Sequence, residues 1–195
     1  MLQDTSFITG DPCGPPCWRN IVPGETTWNE AISIIEGDST LNDLETNSAE
    51  DGPQMVAGWG QEGGDGCCQM YTEDGLTVSF LVLQVAPDVL LGQMIEMYGE
   101  PEFLVAETLS DGQGVAHLIY PEIPMVVYAF IEGEQGELTV SSEVVGVGYM
   151  TEDLMQLVID TTEPGLHAWE GYQTYQYYED GELEVTPSAT LIPSD

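Results

Sequence analysis

The residues able to do chemistry in this chain are almost all carboxylates: 35 Asp and Glu against a single basic side chain, Arg19, in 195 residues. At that density a Glu and an Asp fall within glycosidase distance by chance, so pairing alone identifies no catalytic dyad. A buried pair with one raised pKa would be needed. His117 stands between Ala116 and Leu118 and reads as a strand residue, while His167 follows Pro164-Gly165-Leu166 and reads as a loop residue. Neither has a Ser or Cys nucleophile beside it, and no Gly-x-Ser-x-Gly elbow occurs. Glu62-Gly63-Gly64-Asp65-Gly66 lacks the Lys of a phosphate loop, and its own acids repel phosphate. Calcium favours hard oxygen ligands. Glu62-Gly63-Gly64-Asp65 and Glu179-Asp180-Gly181-Glu182 offer them without the spacing of an EF-hand loop, so weak divalent-cation binding at acidic turns is all that is expected. The expectation is a non-catalytic chain with no cofactor and no dedicated metal site.

The four cysteines come as two close pairs, Cys13 and Cys17 in CGPPC and the adjacent Cys67 and Cys68. An even count with no histidine nearby reads as disulfides rather than zinc, which implies an oxidising compartment, extracellular or at the cell surface. Neighbouring strand residues point to opposite faces, so at least one of Cys67 and Cys68 is expected to pair with Cys13 or Cys17. Residues 1 to 12 carry no basic or apolar export region, and no run of 18 apolar residues exists. The expectation is a mature secreted or lipid-anchored form whose export signal has been removed.

A formal net charge of −34 excludes two large classes of function. Nucleic acid and anionic membrane surfaces attract Lys and Arg, and this chain would be repelled by both. Yet 42% of the residues are hydrophobic, which is the composition of a folded protein and not of an acidic tail. Ion pairs can form only through Arg19, and the self-repulsion of the remaining acids is relieved by salt.

Against this acidic background one stretch differs. Trp169, Tyr172, Tyr175, Tyr177 and Tyr178 are accompanied by only one charge, Glu170. Aromatic rings with a polar tip in a charge-poor patch are suited to protein recognition. These five residues, with Tyr149 and Trp59 as contributors, form the expected binding surface. Surrounding acids would steer a basic protein partner towards it; copies of the chain itself are a second possible partner.

The elements that position these residues follow from periodicity. Trp28, Ala31, Ile32 and Ile35 form a helical stripe, opened by a Thr27/Glu30 capping box and stopped at Gly37. Leu91, Met94, Ile95 and Tyr98 form a second stripe, opened by Pro87-Asp88 and stopped by Gly99 and Pro101; a third, shorter helix follows Thr151 through Leu154, Leu157 and Val158. Elsewhere the period is two. Strands are expected at 54–59, 67–72, 76–84, 103–108, 115–120, 125–131 and 138–149, with a terminal aromatic hairpin at 172–178 and 182–185. Asp74-Gly75, Asp111-Gly112, Glu132-Gly133 and Asp180-Gly181 supply turns.

Helix then strands, twice over, predicts an α+β fold of two tandem helix-then-antiparallel-sheet repeats with helices on one face. The expected divisions are an N-terminal arm with CGPPC (1–22), a first repeat (23–86), a second repeat (87–149), and a short helix with the aromatic hairpin and tail (150–195).

The turn Pro23-Gly24-Glu25-Thr26-Thr27 and the helix exit Tyr98-Gly99-Glu100-Pro101 resemble the Gly-x-Thr entry and Gly-x-Pro exit of beta-lactamase inhibitory protein and SmpA-like lipoprotein modules. The segments from Pro15-Pro16-Cys17-Trp18-Arg19 to Glu30-Ala31, from Leu91-Gly92 to Pro101, and Trp169-Glu170-Gly171-Tyr172 are also similar to surface lipoproteins of filamentous Chloroflexi-type bacteria. The resemblance implies a non-catalytic extracytoplasmic protein-binding module and supplies no catalytic residue. Two rival readings are a structural subunit of an extracellular assembly, with the N-terminal arm and the tail adding strands to neighbours, and a carboxylate-based hydrolase.

Overall fold

The computed structural model describes residues 1–110, 112–133, 136–162 and 165–180. In chain order the elements are α1 (Ser6–Thr9), α2 (Trp28–Gly37), β1 (Leu41–Ser48), β2 (Met55–Gln61), β3 (Gly66–Thr72), β4 (Phe80–Gln84) and α3 (Leu91–Tyr98). There follow β5 (Phe103–Ser110), β6 (Gln113–Tyr120), β7 (Met125–Glu132), β8 (Val144–Met150), α4 (Glu152–Thr162), β9 (His167–Ala168) and α5 (Tyr175–Asp180).

The expected fold class is corrected by the sheet. All nine strands lie in one antiparallel sheet of order β1-β2-β3-β4-β8-β7-β6-β5-β9, with a few short helices against it, rather than in two helix-plus-sheet repeats. The join is β4 against β8, in register from Phe80↔Met150 to Gln84↔Gly146. The reason lies in those two strands: Leu81 and Leu83, like Val147 and Tyr149, are buried, and pairing them closes what would otherwise be two exposed apolar edges.

Helices on a single face is also corrected. The main core holds Trp28, Ala31 and Ile35 of α2, Leu91 and Met94 of α3, and the strand residues Leu81, Leu83, Val147 and Tyr149. The alternate strand residues Phe80, Ile119, Val126 and Met150 face the other way and pack against Met155, Leu154, Val158 and Ile159 of α4. Two faces are therefore occupied. On the α4 face, a Cβ at Gly146 would meet Tyr128 at 3.2 Å and one at Gly148 would meet Phe80 at 3.2 Å, so these glycines let the two rings lie against β8.

Helix boundaries follow their caps. Thr27 Oγ1 accepts from the Glu30 N–H at 3.4 Å and opens α2, whereas α3 is entered from Leu90, whose N–H donates to the Gln93 side chain at 2.9 Å, and not from Asp88. Two expected strands start late for local reasons. The Asp74 carboxylate takes the N–H groups of Leu76 at 2.8 Å and Thr77 at 3.0 Å, holding that stretch in a turn until β4 begins at Phe80. Thr139 and Ser142 turn the chain in the same way before β8.

The N-terminal arm belongs to its own chain's core. The Leu2 N–H donates to the Gln84 carbonyl and the Ala86 N–H to the Leu2 carbonyl, each at 2.8 Å, while Phe7, Trp18 and Ile21 are buried. A strand donor to neighbours would need those groups free. Arg19 lies over the Trp18 ring at 5.0 Å, 3.7 Å from Asp4 and paired with Asp38.

Candidate functional site

The structure gathers the aromatic stretch around Trp169, though not as a hairpin. Residues 175–180 form α5 instead of a strand, and 182–185 lie outside the described residues, as does the Tyr175 side chain. Trp169 is fixed by its N–H, which donates to the Glu102 carbonyl at 3.0 Å beyond the end of β9. Tyr178 stacks on it with centroids 6.5 Å apart and 14° between planes, and Tyr172 meets its edge at 5.6 Å and 83°. Tyr177 stands edge-on to Tyr178 at 5.3 Å and donates its hydroxyl proton to Glu170. That bond holds the Tyr177 phenol protonated to a pH above its ordinary range.

Burial sorts these rings into an anchor and a surface. Tyr178 is buried, its hydroxyl donating to the Gly171 carbonyl at 2.6 Å and accepting from the Glu170 N–H at 3.2 Å. Tyr172 is 37% exposed and Tyr177 46%. Burial and then the Glu100 carboxylate push the Tyr172 phenol upward. Trp169, against which Tyr172 packs, is bonded through its N–H to Glu102 in the acidic segment after α3. There Glu100, Glu102 and Glu122 rim a small pocket floored by Tyr98 and Tyr120. Sequence reasoning missed Tyr98 and Tyr120: each sits at the end of a regular element and reads as one more core position.

Trp59 and Tyr149 lie elsewhere. Both are buried in the main core, Trp59 stacked on Trp18 at 5.8 Å and Tyr149 near the end of β8, where burial raises its phenol strongly. The cysteines form two disulfides, and the expected cross-pairing is corrected: Cys13 bonds Cys17 and Cys67 bonds Cys68, with Cα separations of 5.7 and 3.7 Å. The opposite-face argument fails at Cys67 because the register shifts there, Trp59 facing Cys68 while Gly60 faces Gly66.

Two further concave regions also carry polar groups. Beneath α4, a cleft of about 400 Å³ is lined by Phe80, Val105, Ile119, Val126 and Tyr128, with His117 and Glu107 among its walls. His117 lies in β6 as expected, its ring edge-on to Tyr128 at 4.9 Å and its Nε2 3.7 Å from Glu107, and burial holds it more easily deprotonated than usual. His167 pairs with Leu104 in β9 and is thus a strand residue rather than a loop one. The face of β1 to β4 opposite α2 forms an open groove over Gly58 and Gly60, with the exposed acids Asp43 and Glu45 at its side.

Among the described residues, no three or more His, Cys, Asp or Glu side chains are gathered closely enough to hold a metal ion. Glu182 of the second acidic turn lies outside them. No helix among them is long and apolar enough to cross a membrane. Comparison with protein-family models, with curated proteins and with solved structures gives no match.

Proposed function

We propose that this chain is a non-catalytic, extracytoplasmic protein-binding module of a secreted or lipid-anchored bacterial protein, and that its acid-rimmed aromatic corner recognises a basic partner. The observation that carries the reading is the division of labour around Trp169: Tyr178 is buried as an anchor while Tyr172 and Tyr177 stand exposed on it. Exposed aromatic rings held rigid from beneath give contact area with little loss of conformational entropy. Two disulfides support an oxidising, extracytoplasmic setting.

Charge chooses the partner. At −34 the chain repels its own copies and attracts cationic surfaces, so association with a basic protein is accelerated at low salt. A hydrolytic reading gains no support from Asp43 and Glu45, since exposed carboxylates are not desolvated into an acid–base pair.

The double substitution Tyr172→Ser with Tyr177→Ser tests the reading. The wild-type chain retains a basic protein from a native secreted fraction, and the double variant, melting at the wild-type temperature, does not. Equal retention by the folded double variant overturns the proposal.

A further inference from the structure

The cleft beneath α4 lies on the opposite face of the sheet from the core on which Trp169 packs, so what it holds is independent of the aromatic corner. At about 400 Å³ it has the size of a small-molecule site, which occupies roughly 300–1,000 Å³. Its walls come from a helix and a sheet. Leu154, Val158 and Thr162 recur at every fourth position of α4 and form one side as a single stripe. On the other side β8 presents Gly146 and Gly148, and with no side chain there the Tyr128 and Phe80 rings settle against the strand as walls of the cleft.

Strand register sorts the sheet side into two ends. Ile119 pairs with Val126, and Phe80 with Met150, which makes one end wholly apolar. Two residues further along, Val105 pairs with His117 and His117 with Tyr128, and Glu107 follows on β5. The polar groups converge there: His117 Nε2 is 3.7 Å from Glu107, and the imidazole stands edge-on to Tyr128 at 4.9 Å. A molecule that fits both ends has an apolar body and one polar head.

Charge decides the head. Glu107 is the only acid lining the cleft and is 63% exposed at its mouth. Burial keeps His117 neutral around pH 7, and burial followed by Glu107 keeps the Tyr128 phenol protonated. No Lys or Arg lines the cleft, and the chain's one basic side chain, Arg19, is paired with Asp38. A carboxylate or phosphate head would therefore meet a like charge and no counter-charge. A protonated amine finds the Glu107 carboxylate, the accepting nitrogen of a neutral imidazole and the electron-rich Tyr128 ring.

We infer that the cleft beneath α4 binds a small amphiphilic amine, its apolar body among Ile119, Val126 and Val158 and its ammonium group beside Glu107. Net charge alone would draw a cation to any part of this surface. The cleft fixes the body, and a single carboxylate at its polar end fixes the head.

Nuclear magnetic resonance titration of the full chain tests it with three probes that share an indole ring: tryptamine, tryptophol and indole-3-propionate, whose heads are an ammonium, a hydroxyl and a carboxylate. Salt is held near 0.15 M, where exposed charges are screened beyond about 8 Å. Tryptamine is expected to bind with a Kd of about 1 mM or below, with shifts centred on Val105, His117, Tyr128 and Val158. Tryptophol is expected to bind roughly fivefold more weakly, and indole-3-propionate more weakly still. Glu107→Gln leaves the apolar walls in place and brings tryptamine down to the affinity of tryptophol. Glu36→Gln removes the same charge from the exposed side of α2 and leaves tryptamine binding unchanged. Tryptamine binding no tighter than tryptophol, an equal loss in the two variants, shifts scattered over the acidic surface, or no binding of any probe overturns the inference.

Discussion

Trp169 and Tyr178 stack within 14° of parallel, and Tyr178 is buried while its neighbour Tyr177 is 46% exposed. Adjacent positions on α5 therefore have opposite duties, one holding the corner to the body of the protein and the other facing out. Tyr178→Ala leaves Trp169 without its stacked partner and removes the hydroxyl that joins Glu170 and Gly171, and it is expected to destabilise the fold by about 3 kcal/mol. Tyr177→Ser is expected to change stability by less than about 0.5 kcal/mol. Urea unfolding of the two variants checks the contrast; equal losses would show Tyr177 to be part of the core.

Arg19 is the chain's only basic side chain and lies between Asp4 and Asp38, against the Trp18 ring. Replacing it leaves the largely buried Asp4 without a cation in a chain that has no other. Arg19→Gln is expected to cost about 2 kcal/mol. Denaturation at low and at high salt measures it, with a smaller loss at high salt, where screening weakens the repulsion left behind.

His117 gives a pH dependence with a definite sign. Burial lowers its folded-state pKa from 6.5, so the unfolded chain takes up a proton first. The stability gained from keeping His117 neutral is fully present above about pH 6.5 and is lost as the pH falls below it. Melting temperatures of wild type and His117→Phe at pH 7.5 and pH 5.5 isolate this effect, because the repulsion among carboxylates is common to both proteins. The wild type is expected to lose more than the variant on acidification, and parallel curves would contradict the assignment.

The disulfide pattern predicts a simple peptide map. Non-reducing digestion should release one fragment holding Cys13 with Cys17 and another holding Cys67 with Cys68, with no fragment joining the two regions. A cross-linked fragment would contradict the observed pairing.

Much of the element list was legible because amphipathic stripes and capping residues act locally: Thr27 opens α2 where its spacing from Glu30 says it should. What could not be read was how elements share surfaces. β1 was missed because LNDLETNS, an edge strand with mostly exposed side chains, has no apolar alternation. The single sheet was missed because joining β4 to β8 is a long-range event between residues 62 to 70 positions apart, visible only once Phe80 and Met150 are paired. Of the aromatic site, Trp169, Tyr172, Tyr177 and Tyr178 do come together, but as a turn and a helix. Burial reassigned Trp59 and Tyr149 to the core, and the acidic rim from Glu100 to Glu122 had no signal in a chain where acids are everywhere.

Hydrogen–deuterium exchange of the chain, alone and with the basic protein it retains, tests recognition at the aromatic corner most directly. The expected result is added protection confined to the segments from Tyr98 to Glu102, Tyr120 to Ile123 and Trp169 to Tyr178. Protection on the open face of β1 to β4 instead, with these segments unchanged, would contradict it.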